Sequence, residues 1–227
     1  MDAIENAQQL LRTADAILIS ASNGLSISEG YNIFANNAAF HRYFGEFSAE
    51  YGITSILQGA QAYLPKGARR AFMAKLHQYL IDDYHGADQF RLLKQLVGER
   101  DYFVITSNAD QHFQLNGFEP HRLWEIEGNF FGLRMQSPEW QAQQQACQDF
   151  LQRYADKNLV QLELGIGAAN QLIKQPLMEM VAAHPRWHYL TLNLPTEINI
   201  PAGIADRSLA LPGDLKKTLT KLVKEPN

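Results

Sequence analysis

Cysteine is almost absent: in 227 residues only Cys147 occurs. A disulfide within the chain is excluded, and so is a zinc site built from four thiolates. The dinucleotide fingerprint Gly-x-Gly-x-x-Gly is also missing. The clear Gly-x-Gly, Gly165 and Gly167, comes late, and after Gly30 no convincing strand appears until Tyr102. An ordinary dehydrogenase, with an acidic ribose ligand after its first helix, is therefore disfavoured. No Gly-x-Ser-x-Gly elbow marks a serine nucleophile. No stretch is apolar enough to span a membrane, and the opening Met1-Asp-Ala-Ile-Glu5 lacks the features of a signal peptide, so a cytoplasmic location is expected. A net charge of −4 and a pI near 6.0 leave no basic footprint, and no nucleic-acid partner is expected. Neither Cys147 nor the histidines lead to an expected metal centre. Cys147 shares one helical face with Trp140, Leu151 and Tyr154, as a core residue does.

What is present is an alternation of apolar runs and amphipathic stretches. Ile4, Ala7, Leu10 and Leu11 mark a short helix, followed by a strand from Ala16 to Ala21. A helix to Val97, strands at Tyr102 to Thr106 and Arg122 to Glu127, a helix near Trp140, and strands near Val160, Tyr189 and Leu209 follow. A last helix starts at Asp214, with Leu215, Leu219 and Leu222 at helical spacing. Alternating strands and helices imply an α/β, Rossmann-like, doubly wound parallel sheet. Between Gly30 and Gly86 the pattern changes to an aromatic-rich helical segment, with Ala68, Phe72, Leu76, Tyr79 and Leu80 as its stripe. The expected organisation is a nucleotide-binding domain over 1–30 and 87–227, with a helical lid inserted at 31–86.

Two segments carry candidate chemistry. In Phe103-Val-Ile-Thr-Ser-Asn-Ala-Asp-Gln-His-Phe113 a buried-looking strand ends in Ser107, Asn108 and Asp110. Ligands of open α/β sheets sit beyond such carboxyl ends, although Asn and Asp at a strand exit also serve as turn or cap residues. In Asp15-Ala-Ile-Leu-Ile-Ser-Ala-Ser-Asn-Gly-Leu-Ser26 a strand runs into a small-residue turn and a helix, a build that lets a pyrophosphate approach backbone N–H groups.

Taken together these segments resemble the sirtuins, NAD-consuming protein deacylases and ADP-ribosyltransferases, over most of the chain. Ser22-Asn-Gly-Leu-Ser26 with Gly30 and Phe34 is similar to the family's first NAD loop, and Thr106-Ser-Asn-Ala-Asp110 through Gly117 to its Thr-x-Asn-x-Asp motif. Glu163-Leu-Gly-Ile-Gly167 with Pro176, Leu192-Asn-Leu194, and Gly213-Asp214 match the later segments in order. The phrasing is closest to that of the macrodomain-linked sirtuins of microbes, which are associated with protein ADP-ribosylation. The resemblance implies NAD as co-substrate, a protein acceptor, and Asn108, Asp110 and Glu127 as the catalytic set. It further implies that Ala21, Ser22, Asn23, Phe34, Ser107, Gly165, Ile166, Gly167, Asn193, Leu194 and Asp214 hold the cofactor beside Asn108 and Asp110.

Three departures qualify what is carried over. Glu127, in Trp124-Glu-Ile-Glu-Gly128, stands where deacylating sirtuins carry a histidine base, which turns the expectation from deacylation toward transfer of ADP-ribose. The zinc ribbon is expected to be replaced by a turn and one helix between Phe130 and Asn158, without zinc. Ser20 and Ser22 replace glycines, and Ala35 replaces an arginine after Phe34. His112 is a candidate substitute base and equally a packing residue. Deacylation, NAD hydrolysis, and mere binding of NAD or ADP-ribose are the alternatives.

Overall fold

A computed structural model describes residues 2–224. Its elements, in order, are α1 (Ala3–Thr13), β1 (Ala16–Ala21), α2 (Asn23–Ser28), α3 (Ala38–Tyr51), α4 (Ile56–Gln61) and α5 (Lys66–His77). A π-helical turn at Gln78–Asp82 leads to α6 (Asp88–Val97), β2 (Asp101–Thr106), α7 (His112–Leu115) and β3 (Leu123–Glu125). Then come α8 (Pro138–Arg153), β4 (Leu159–Leu164), α9 (Lys174–Ala183), β5 (Trp187–Asn193), β6 (Ser208–Pro212) and α10 (Leu215–Val223).

The strands form one six-stranded sheet in the order β3-β2-β1-β4-β5-β6, and every pairing is parallel. This is the doubly wound Rossmann order, and the expected fold class holds. Strands covered on both faces must be apolar on both. In β1, Ile17 and Ile19 enter a core shared with α1, α6 and α10, while Ala16 and Leu18 enter the one under α8 and α9. Each fully buried aliphatic side chain of this kind contributes about 1.5–3 kcal/mol. Ends are fixed locally: Asp2 and Glu5 form a capping box on α1, and Ser137 caps α8.

The helices of the 31–86 segment pack around their own apolar cluster, which includes Phe40, Phe44, Phe72, Leu76, Tyr79 and Leu80. The expected stripe is thus core. Phe130 and Phe131, from the turn after β3, also pack against it. Strand β3 is shorter than the expected Arg122 to Glu127, because Arg122 lies in a 3-10 turn and Ile126 and Glu127 begin a turn closed by Gly128 at φ +74°. Cys147 is buried, and burial pushes its thiol up to about 12, so it is inert at neutral pH. Among the described residues no helix is long and apolar enough to cross a membrane.

Candidate functional site

All six strands point one way, so their carboxyl ends form a single edge, and the order reverses direction between β1 and β4. Ligands of such sheets bind at this switch point. The edge is stitched together by main-chain bonds: Ser107 N–H to Ala21 O (3.3 Å), Gly24 N–H to Gly165 O (3.0 Å), Gly165 N–H to Leu192 O (3.1 Å) and Gly213 N–H to Asn193 O (2.9 Å). On the other side, Ile126 N–H reaches Thr106 O and Phe130 N–H reaches Ala109 O. The loops after β1, β2, β3 and β4, and the ends of β5 and β6, are therefore one connected surface.

At the switch point Gly24 and Gly165 touch backbone to backbone. A Cβ on Gly24 would lie 2.4 Å from Gly165 O, and Gly165 adopts φ +62°. Gly24→Ala is expected to push the two loops apart, lowering stability by about 1–3 kcal/mol and weakening ADP-ribose binding. Thermal melts and calorimetric titration check both.

Asn108 is 5% exposed. Its main-chain N–H donates to Thr106 Oγ1 (3.0 Å) and its Nδ2 to Ser22 O (3.2 Å), which leaves Oδ1 buried without a donor. Leaving such an acceptor unmet costs about 1–3 kcal/mol. An N–H or O–H placed beside it would satisfy it. Ser107 Oγ donates to Ser22 Oγ (2.9 Å), while Asn23, first in α2, keeps its side chain out of the protein's own hydrogen bonds among the described residues. Ser20, in place of a glycine, is consumed inside the sheet, where its Oγ accepts from Gln161 Nε2 (2.6 Å).

Asp110 has both carboxylate oxygens engaged, Oδ2 by Ser26 Oγ (2.7 Å) and Oδ1 by the His112 N–H (3.0 Å). It shapes the loop that carries Asn108 and offers no free oxygen. His112 is not an open base either. Its Nδ1 meets Glu29 Oε1 at 2.8 Å, its Nε2 meets Leu80 O at 3.1 Å, and the residue is 1% exposed. Among the described residues Glu29, Asp110 and His112 bring three possible metal-ligand atoms together, but these hydrogen bonds already hold the group. His184 and His188, four positions apart, belong to different elements: His184 bonds Met180 O beyond α9 and stacks on Trp187, while His188 lies in β5.

Glu127 is exposed in the turn after β3, between the two bonds that join this turn to the β2 loop, and its carboxylate has no hydrogen-bond partner among the described residues. Glu125, two positions earlier, is the buried one. Asn129 Nδ2 donates to both of its oxygens (3.1 and 3.0 Å), and burial pushes its pKa up against these donors.

The β4–β5 side is organised by Glu163, fully buried. Its Oε1 accepts from Ile166 N–H (2.9 Å) and Asn193 Nδ2 (2.9 Å); its Oε2 accepts from Tyr189 Oη, Thr191 Oγ1 (2.8 Å) and Lys174 Nζ (3.1 Å). Lys174 also donates to Ile166 O (3.2 Å) and Glu197 O (2.6 Å), so its three donors are all used. The Glu197 carboxylate in turn accepts the Ala168 N–H (2.8 Å). The Gly165–Gly167 loop is thus braced from below.

This bracing redirects several of the expected ligands. Asn193 spends its amide on Glu163, Ile166 O and the Leu194 N–H. The Ile166 side chain is in the core, and Asp214 caps α10 through the Lys217 N–H (2.8 Å). These positions border the edge, but their side chains are committed to the protein. Ala21 is fully buried, and its carbonyl is taken by Ser107. Leu194 and Phe34 are 58% and 49% exposed, and the loop at Phe34 is tied to α4 by Leu57 N–H to Ile33 O (3.0 Å) instead of to the edge. Ser26, Glu29, Glu125 and Lys174 were not singled out by sequence reasoning. Ser26, Glu29 and Lys174 find partners in other segments, and Glu125 in a turn four residues on, none of which leaves a periodic signal.

With this geometry in view, the comparisons with known proteins are informative. No family model matches the chain. A solved Sir2 homologue–NAD complex superimposes with a TM-score of 0.60 at 12% identity, covering 98% of this chain and 93% of that one. A Sir2 homologue mutant in complex with ADP ribose gives 0.57 at 15% identity, over 98% and 95% of the two chains. A curated protein ADP-ribosyltransferase of Staphylococcus aureus is 22% identical over 99% of this chain and 89% of its own length. The fold is therefore that of the Sir2 structures, a parallel Rossmann-like sheet with flanking helices.

Proposed function

We propose that the protein is a sirtuin-like, NAD-dependent transferase that cleaves the nicotinamide–ribose bond and passes ADP-ribose to a protein acceptor. The observation that carries this reading is the buried, unpartnered Oδ1 of Asn108 at the carboxyl end of β2, next to the β1 loop at the switch point. The NAD and ADP-ribose complexes among the similar structures, and the activity in the name of the curated relative, support it.

In this reading the C1′–nitrogen bond breaks, the electron pair leaves with neutral nicotinamide, and the acceptor's nucleophile bonds to C1′ as it gives up a proton. Asn108 accepts a hydrogen bond from the nicotinamide end. Ser22, Asn23, Ser107 and the Gly165–Gly167 loop hold the diphosphate and adenosine end. Asp110 acts through the loop. Glu127, whose carboxylate is free, faces the positive charge that develops on the ribose, and it suits transfer better than the ribose-hydroxyl activation that deacylation needs.

The test is product analysis with NAD labelled in its adenosine moiety. Label on protein supports the reading, whereas free ADP-ribose alone marks a hydrolase and O-acyl-ADP-ribose a deacylase. Glu127→Gln is expected to slow transfer about tenfold, the kinetic equivalent of ~1.4 kcal/mol for one partly screened charge, with ADP-ribose affinity kept.

A further inference from the structure

Glu29, at the end of α2, and His112, at the start of α7, have side chains 0% and 1% exposed. The donors and acceptors around them can be counted. Leu80 O can only accept, so His112 Nε2 carries a proton. Asn116 Nδ2 donates to the Tyr84 hydroxyl (2.7 Å), which sends the Tyr84 proton to Glu29 Oε2 (2.8 Å). Glu29 Oε1 and His112 Nδ1 are left facing each other at 2.8 Å. Two lone pairs cannot meet at that distance, so one proton must lie between them.

Asp110 Oδ2 stands 3.8 Å from the same nitrogen, and the imidazole is stacked on Tyr84 (centroids 3.9 Å apart) and met edge-on by Tyr31 (4.7 Å). Burial alone would lower the affinity of His112 for its proton, but the Glu29 hydrogen bond and the Asp110 charge outweigh it and the net direction is up. For Glu29 burial also raises the pKa, and the bond to His112 only partly opposes it. Both groups therefore hold their proton more tightly than they would in water.

The shared proton sits where three segments meet: the end of the β1 loop, the loop carrying Asn108 and Asp110, and the stretch around Leu80 and Tyr84. We propose that Glu29 and His112 are positioning residues: through one shared proton they clamp the Asn108–Asp110 loop to the 78–84 segment and so set how the nicotinamide end of NAD is held. The positioning role rests on the NAD reading above.

The experiment uses the full chain. Glu29→Ala and His112→Ala are expected to slow nicotinamide release about 10- to 100-fold, as small misplacements of a reacting group do. ADP-ribose affinity is expected to fall by much less, because the Gly165–Gly167 loop, which the clamp does not touch, still holds that end. Glu29→Gln should behave like wild type: its amide donates to a neutral Nδ1 and its oxygen still accepts from Tyr84, so no charge is left unpaired. In nitrogen-15 spectra of the wild type, the His112 ring is expected to show no titration between about pH 5 and 8, where an unperturbed histidine titrates.

Glu29→Gln falling as far as Glu29→Ala, a titrating His112, unchanged release in both alanine variants, or equal losses of release and of ADP-ribose binding would each overturn the proposal. A wild type that binds neither NAD nor ADP-ribose removes the NAD reading and the positioning role with it. The His112 spectrum then still decides whether the proton is shared.

Discussion

Asn108→Ala is expected to abolish most nicotinamide release, by on the order of 10²–10³ in kcat, the loss seen when one preorganised polar group is removed from a reacting centre. The fold should persist. The deleted amide makes one side-chain hydrogen bond, to Ser22 O, and its Oδ1 makes none, so little of the apoprotein's stability depends on it. Removing an unmet acceptor even relieves a cost. Melting temperature should therefore stay level or rise slightly while turnover collapses, a combination that a purely structural residue does not give. Calorimetric titration with ADP-ribose, followed by a nicotinamide assay on the same samples, checks it. Unchanged release in a folded variant would remove Asn108 from the proposed site.

Lys174→Met is expected to act in the opposite way, on stability first. The Lys174–Glu163 pair is fully buried, and breaking such a pair from one side costs about 3–5 kcal/mol because the remaining charge has lost its partner. For a chain of this size, at roughly 2–4 °C per kcal/mol, the melting temperature should fall by about 6–20 °C. The loss should reach the ligand as well. Lys174 also holds Ile166 O and Glu197 O, so the Gly165–Gly167 loop loses its floor and ADP-ribose affinity should drop. Glu163→Gln with Lys174→Met should recover part of the stability. With no charge left, the new amide can donate to the Tyr189 and Thr191 hydroxyls, which are free to rotate and accept. Thermal melts of the two variants decide this, and a double variant no more stable than Lys174→Met would mean that the pair's charge is not what matters.

The sheet was legible because buried parallel strands must be apolar on both faces. Ala16 to Ala21 and Tyr102 to Thr106 are too short for helices and end in turn residues, so they read as strands, and their parallel order follows from the helices between them. Asn108 was legible for the same reason, since its place at a strand end follows from the strand. Side-chain direction was not. Asn193 and Asp214 lie where the motif puts them along the chain, but whether an amide turns to a ligand or to Glu163 depends on residues thirty positions away. Lys174, before an apolar helix, looks like any solvated helix start until the fold sets it over Glu163. Glu127 and Glu125 show the limit most plainly: two carboxylates in a three-residue span of the same β end, one buried among amides and one left free, with nothing in Glu-Ile-Glu to separate them.

The π-helical turn at Gln78–Asp82, closed by Asp83 N–H to Gln78 O (2.9 Å), holds one residue more than an α-helix would use. Deleting a residue there would let the turn close in α form, and because five residues of the wide turn sweep about the same angle as four of an α turn, the chain beyond would keep its direction. The widened turn that presents the Leu80 carbonyl to the His112 ring would be lost, and with it that hydrogen bond. Tyr79 and Leu80 of the apolar cluster lie in this same turn, so its residue count serves the core and the His112 contact together. Insertions and deletions at 78–82 should therefore be tolerated far less than substitutions at the same positions.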